Sequence, residues 1–291
     1  MTAESQEKIA VRDAILQASA KHPKPADHIF QYGTAGFRMK ANLLDSVMFR
    51  VGLIASLRSR KLGGQVIGVM ITASHNPPQD NGVKLVDPMG DMLEQSWESY
   101  ATTLANAKTD DELLDKYLQL ERDLKLKEGV KAHVIFGKDT RPSGPTLVKS
   151  LVDALDATNT EYTDYKTLTT PQLHYLTRCT NTVGTPQSYG EVSEQGYYEK
   201  LASAWARAIK GRKTVGPVIV DCANGVGAPK LRELIKYLEK AAPGSIEIKV
   251  VNDDILKAEA LNHEVCVTPF QSHSFLQRLL MLTMTSVEQT M

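Results

Sequence analysis

Between Gly68 and Gly90 the sequence reads GVMITASHNPPQDNGVKLVDPMG. It brings a serine (Ser74), a histidine and an asparagine ahead of two prolines (His75, Asn76, Pro77, Pro78), and a lysine (Lys84) into one short span. A hydroxyl at the mouth of an apolar run can serve as a nucleophile when a cation nearby holds the transferred group or hands over a proton. Asn76, set before a proline, is pushed toward extended backbone, which stiffens the loop. Asn81-Gly82 adds a second tight turn before Lys84. Read plainly, such a segment is a Ser/Asn/Pro chain reversal followed by a solvated lysine. The run Val66 to Ile71 argues for more. It is short, continuous and bounded by Gly63-Gly64, as in a parallel strand buried on both faces. Ligands gather beyond the carboxyl ends of such strands.

The elements that must position this loop are legible on both sides of it. Residues 1–28 read as a polar leader in which Ile9, Ala10, Asp13, Ala14, Ile15 and Leu16 allow a short helix, ended by His22-Pro23-Lys24-Pro25. QYGTAGFRMK (residues 31–40) reads as strand, glycine turn, strand, and carries Arg38. Val47, Met48, Val51, Ile54, Ala55 and Leu57 recur at helical spacing. Two helices are expected at about 92–107 and 110–127, then a strand at 133–137, the turn Lys138-Asp139-Thr140-Arg141-Pro142-Ser143-Gly144, and a helix at about 145–157. Such alternation predicts an α/β fold with a mixed, largely parallel sheet and Ser74 beyond a central strand. The polar stretch Thr180 to Glu194 is the linker candidate. A helix at 196–210, a strand at 217–220, the glycine-rich turn Asp221 to Gly227, a helix at 229–240 and a strand at 246–251 follow, giving a β-α-β unit.

Bulk properties narrow the classes. The chain has 291 residues, enough for two domains, and 42% hydrophobic and 23% charged residues, ordinary for a globular protein. Formal net charge is zero, so no global field draws it to nucleic acid or an acidic membrane. No stretch approaches the roughly 18 apolar residues of a membrane span. Three scattered cysteines (Cys179, Cys222, Cys266) suggest neither a disulfide framework nor a zinc site, and fit a reducing compartment, the cytosol.

TASHNP followed by NGVK resembles the active-serine loop of the α-D-phosphohexomutase family. Three further segments agree in the same order: Gly33-Thr34-Ala35-Gly36-Phe37-Arg38, Gly137-Lys138-Asp139-Thr140-Arg141, and Asp221-Cys222-Ala223-Asn224-Gly225-Val226-Gly227. The resemblance covers about residues 29–263. It implies a three-layer α/β/α first domain at 29–190 and an incomplete second α/β domain at 191–263, with the leader before and a divergent tail at 264–291. It also implies that Ser74 is phosphorylated in the resting enzyme, gives its phosphoryl group to a sugar phosphate and takes the other one back, and binds Mg²⁺ through its phosphate. Arg38 and Lys84 are the implied partners for proton transfer and phosphate stabilisation. Arg38, His75, Asn76 and Lys84 are the implied substrate-binding residues, with His75 and Asn76 shaping the loop. The 137–141 turn reads as architectural. QYGTAGFR, ITASHNP with NGVKLVDPMG, and LTTPQLHYLT look most like eukaryotic members that interconvert N-acetylglucosamine 6-phosphate and 1-phosphate on the way to UDP-N-acetylglucosamine.

One departure matters. The family places three aspartates in an Asp-Gly-Asp-x-Asp loop that holds Mg²⁺ with the phosphoserine, oxygen ligands suiting that ion. No such loop occurs here, and Asn252-Asp253-Asp254 does not match its spacing. From Glu264 the text leaves the family pattern, and the sugar and phosphate loops of later domains are not found. The expectation is a chain truncated within the second domain, with negligible mutase activity. A catalytically inactive fragment acting as a binding module, and a different specificity such as that of a phosphoglucomutase, stand as alternatives.

Overall fold

The computed structural model describes residues 3–34 and 36–263; the tail expected to diverge from Glu264 lies outside the described residues, as does Cys266. The first unit comprises α1 (Ala3–Ser19), β1 (Phe37–Lys40), α2 (Asp45–Lys61), β2 (Val66–Ile71), β3 (Asp80–Val86), α3 (Gln95–Ala105), α4 (Asp110–Asp123), β4 (His133–Lys138), α5 (Gly144–Ala157), β5 (Glu161–Thr167) and α6 (Thr170–Thr182). Its five strands form one sheet in the order β1-β3-β2-β4-β5, which puts β2 at the centre. β2, β4 and β5 pair in parallel. β3 runs antiparallel to both β2 and β1. The sheet is therefore mixed but not largely parallel. Residues 72–79, which join β2 to β3, are too few for a crossover, so the chain turns straight back.

Layering follows from the alternation along β2. Ile67, Val69 and Ile71 enter the larger core with α2 and α5. Val66 and Met70 face the smaller core beneath α6. Each such side chain stabilises by about 1.5–3 kcal/mol on burial. Gly68 sits on the α6 side, where a Cβ would lie 2.5 Å from Thr177 Oγ1. Only glycine lets α6 approach this closely. At the far end of β3, Arg58 of α2 grips Asp87 with two hydrogen bonds, 3.0 and 2.6 Å, and stacks over Trp97. That fork bolts α2 to the sheet.

The leader holds the expected helix, longer than anticipated and packed on the core: α1 runs seventeen residues, Ile15 has no exposed surface, and His22 beyond it pairs with Asp45 and Asp153. The linker stretch is also partly ordered by contacts. α6 extends into it to Thr182, and Tyr189 lies between the cations of Arg178 and Lys200, 4.0 and 3.9 Å from its ring centre. β5 and α6 themselves were not anticipated.

The second unit contains α7 (Glu194–Ile209), β6 (Val218–Asp221), α8 (Gly227–Ala241) and β7 (Ile248–Val251). β6 and β7 pair in parallel across α8, the expected β-α-β unit. Among the described residues, no helix is long and apolar enough to cross a membrane. Cys179 and Cys222 are free thiols.

Candidate active site

β2 ends at Ile71, and Thr72 and Ala73 remain buried before the chain surfaces at Ser74. Ser74 adopts a left-handed conformation, φ 54°, which costs a non-glycine residue about 1–2 kcal/mol. Neighbouring groups over-determine it. The Ser74 N–H donates to Thr72 Oγ1 at 3.1 Å, and the Thr72 hydroxyl donates to Asp139 Oδ2 at 2.7 Å. Asp139 follows β4, whose register with β2 brings the two strand ends together; its N–H donates to the Ile71 carbonyl.

Arg141 completes the cradle. Its side chain is wholly buried and pairs through Nε with Asp139. One guanidinium nitrogen, Nη2, donates to the carbonyls of Ser74 (2.9 Å) and Asn76 (2.8 Å). The other, Nη1, donates to those of Pro77 (2.6 Å) and Asp80 (3.0 Å). The planar fork of arginine suits this multiple role.

Two cations enter from the sheet. Arg38 stands opposite Gly82, and Lys84 opposite Met70, so they share a face across β1, β3 and β2. Gly36 allows this approach: at φ 80°, a Cβ there would sit 2.0 Å from the Val83 carbonyl oxygen. Arg38 Nη1 donates to Asn76 Oδ1 at 3.3 Å, while its buried Nε has no partner among the described residues. Burial, then the nearby Arg141, lowers the Arg38 pKa. Burial, then Arg38, lowers that of Lys84. Among the described residues neither forms an ion pair. The result is a cleft of about 430 Å³ lined by Ser74, Arg38, Lys84, Thr72, Asp139 and Thr169–Pro171, and across from them by Cys222, Gly225–Gly227, Leu261 and Asn262. Unbalanced positive charge beside an exposed hydroxyl suits an anion such as a phosphoryl group.

Ser74, Arg38 and Lys84 are thus brought together. His75 and Asn76 are not in the cleft lining. The left-handed turn at Ser74 leaves His75 exposed, and the Asn76 amide is engaged by Asp80 and Arg38. Asn76 acts on the cleft by holding Arg38. Arg141, Thr72 and Asn262 had not been singled out as site residues. Arg141 and Asp139 stood inside a recognisable turn, but nothing in the text marks them as carbonyl donor and threonine acceptor.

The donor set does not make a magnesium site. Among the described residues no three His, Cys, Asp or Glu side chains are grouped to hold a metal. The carboxylate in the lining, Asp139, is already taken by Thr72 and Arg141. Ser74 is the one ligand position the expected site retains here.

A mixed five-stranded sheet between helical layers, with a cation-flanked serine beyond its central strand, is the first domain of the phosphohexomutases, and the chain belongs to the α-D-phosphohexomutase family. The family described as "Phosphoglucomutase/phosphomannomutase, alpha/beta/alpha domain I" matches residues 54–112 and 103–186. The chain is 45% identical over 270 residues to phosphoacetylglucosamine mutase of Candida albicans, covering 88% of this chain and 48% of that one. It is 46% identical over 269 residues to the Homo sapiens protein of that name, covering 89% and 47%. The crystal structure of Aspergillus fumigatus N-acetylphosphoglucosamine mutase in complex with GlcNAc-6P and magnesium superimposes with a TM-score of 0.82 at 58% identity, covering 88% of this chain and 46% of that chain. The chain spans about half the length of the curated relatives it matches.

Proposed function

We propose that this chain carries the phosphoserine chemistry that interconverts N-acetylglucosamine 6-phosphate and N-acetylglucosamine 1-phosphate, a step toward UDP-N-acetylglucosamine. Phosphorylated Ser74 gives its phosphoryl group to a sugar hydroxyl. The bond from phosphorus to Ser74 Oγ breaks as one to the sugar oxygen forms, and the hydroxyl proton leaves to a base. The bisphosphate then returns its other phosphoryl group to Ser74 Oγ. A covalent intermediate divides a transfer between distant hydroxyls into two short ones. Arg38 stabilises the phosphoryl oxygens, and Lys84, with its pKa lowered by burial and by Arg38, exchanges the proton. The observation that carries the reading is the exposed Ser74 hydroxyl in a cleft with two cations that no described carboxylate pairs.

The named relatives support the sugar, and the A. fumigatus complex supports Mg²⁺. The described residues supply one ligand position for that ion, so no step here is routed through it. Phosphoglucomutase specificity and a pure binding role are not favoured by these relatives. A cytosolic location belongs to the same reading, supported by the free thiols of Cys179 and Cys222.

The test is incubation with glucose 1,6-bisphosphate and Mg²⁺, followed by phosphopeptide mapping and a mutase assay. Phosphate is expected on Ser74 in the wild type and not in Ser74→Ala, while net conversion of N-acetylglucosamine 6-phosphate by these 291 residues alone is expected to be negligible, because the described residues group no three ligands for a metal ion. A protein that takes no phosphate on Ser74, or a Ser74→Ala variant that turns over at roughly 1 s⁻¹ or above, overturns the reading.

A further inference from the structure

The glycine-rich turn Asp221 to Gly227 lines the cleft from the second unit, and the reaction as described gives it no task. Its geometry shows what it holds. Ala223 and Asn224 are both left-handed, φ 49° and 54°. The Asn224 side chain donates to the Ala260 carbonyl at 3.1 Å and accepts the Asp254 N–H at 3.1 Å. The Ala223 carbonyl accepts the N–H of Asn262 at 3.0 Å. The turn therefore grips residues 254–262 at several points.

That segment ends on the Ser74 loop. Asn262 Nδ2 donates to the Ser74 carbonyl at 2.8 Å and to the Asn76 carbonyl at 2.8 Å. These are the two carbonyls that Arg141 Nη2 holds from within the first unit. A carbonyl oxygen has two lone pairs, so each of the two is filled once by Arg141 and once by Asn262. Asn262 is itself left-handed, φ 56°, a region asparagine tolerates better than most residues.

We propose that Asn262 is a positioning residue for Ser74 and that the Asp221–Gly227 turn is its mount, so that the seating of the second unit is felt at the nucleophile. This rests on Ser74 being the phosphoryl acceptor. Transfer in line demands that Ser74 Oγ be held in place, and Ser74 lies on an exposed loop with a left-handed residue at its tip. Arg141 holds the Ser74 and Asn76 carbonyls from the first unit, and Asn262 holds the same two from the second.

The test uses the 291-residue protein as wild type, Asn262→Gly and Asn262→Asp. Glycine keeps the backbone conformation and removes the donor. Aspartate keeps size and conformation, but its carboxylate only accepts and would face two carbonyls. Two readouts are taken: hydrogen exchange of the amides between residues 74 and 80, and the rate of Ser74 phosphorylation by glucose 1,6-bisphosphate. In Asn262→Gly, which loses the hydrogen bonds to both the Ser74 and the Asn76 carbonyls, loop exchange should quicken and phosphorylation slow by about tenfold or more. β2 and β4 exchange and the melting midpoint should stay in place. Asn262→Asp should be worse than Asn262→Gly. A residue that only fills space predicts the reverse order, and that order overturns the proposal, as does unchanged loop exchange in both variants. If exchange responds as stated while no form, wild type included, takes phosphate on Ser74, the contact stands and the proposed function fails.

Discussion

Arg141 Nη2 lies 2.9 Å from the carbonyl oxygen of Ser74, and the arginine side chain has no exposed surface. The residue that presents the hydroxyl to solvent is thus anchored through its backbone to a buried charge. That charge is balanced by Asp139, which also accepts the hydroxyl of Thr72, which in turn accepts the N–H of Ser74. The loop is held at both its N–H and its C=O by one ion pair.

Removing Arg141 should therefore be severe. Arg141→Met leaves Asp139 buried without its cation and strips a donor from four carbonyls, and the expected loss is about 3–5 kcal/mol. Arg141→Lys keeps the charge without the fork, and about 2 kcal/mol is expected to go. Urea denaturation of the two variants checks the order. A methionine variant within about 0.5 kcal/mol of wild type would mean that the loop does not depend on this contact.

Gly36 and Gly33 sit in the same short turn yet should respond oppositely. A Cβ at Gly36 meets the Val83 carbonyl at 2.0 Å and the backbone is left-handed, whereas one at Gly33 meets nothing within 4 Å. Gly36→Ala should push β1 off β3, displace Arg38 and lower stability by more than about 1 kcal/mol. Gly33→Ala should fall within about 0.5 kcal/mol of wild type. Melting midpoints and phosphate binding measured by calorimetry separate the two. Equal behaviour would remove the steric argument for the turn.

How much of this could be read beforehand follows from how local each signal is. Val66 to Ile71 announces a buried strand by its run of apolar residues, and the serine after it stands out. β5 (Glu161–Thr167) does not, because it is an edge strand with an exposed, polar face and has no apolar run to detect. α6 begins with a capping box between Thr169 and Gln172, a start signal that was present but weakly marked by Thr-Thr-Pro. His75 and Asn76 are adjacent to Ser74 in sequence, but His75 is exposed and the Asn76 amide is engaged by Asp80 and Arg38, so neither lines the cleft. Asn262 lies 188 residues from Ser74, and no spacing rule reaches that far.

His22 gives a pH prediction. Burial opposes its charged form, but hydrogen bonds and charge from Asp45 and Asp153 outweigh that, so its pKa is raised above 6.5. A raised pKa means stabilisation that is full below the unfolded value and lost as pH rises through the folded one. Asp45 is the counterpart: its pKa is lowered, against burial, by His22 and Ser150, so its share fades only as pH falls below 3.8. His22→Gln should thus destabilise most near pH 6 and progressively less above it, as the wild-type advantage titrates away; about pH 5.5 to 9 is the range to scan. Melting curves across that range check it. A difference between the two proteins that grows with pH would reverse the assignment.

The last prediction concerns the charge that the cleft awaits. Arg38 and Lys84 are both held below their ordinary pKa: burial and then Arg141 lower that of Arg38, and burial and then Arg38 lower that of Lys84. A negative charge at position 74 should relieve this, and Ser74→Asp places one there without a cofactor. Backbone handedness complicates a direct comparison with serine, since aspartate tolerates the left-handed region better. Ser74→Asn is the proper reference, equal in shape and neutral. At low salt Ser74→Asp should exceed Ser74→Asn by about 1 kcal/mol, the scale of a solvent-accessible pair. The gain should vanish near 1 M salt, where the screening length falls to about 3 Å. Lys84→Met should remove about half of it, because the charge then has one cationic partner rather than two, and a double-mutant cycle isolates that share. If Ser74→Asp is no more stable than Ser74→Asn at low salt, the two cations are not directed at position 74, and the cleft is not built for a phosphoryl group on this serine.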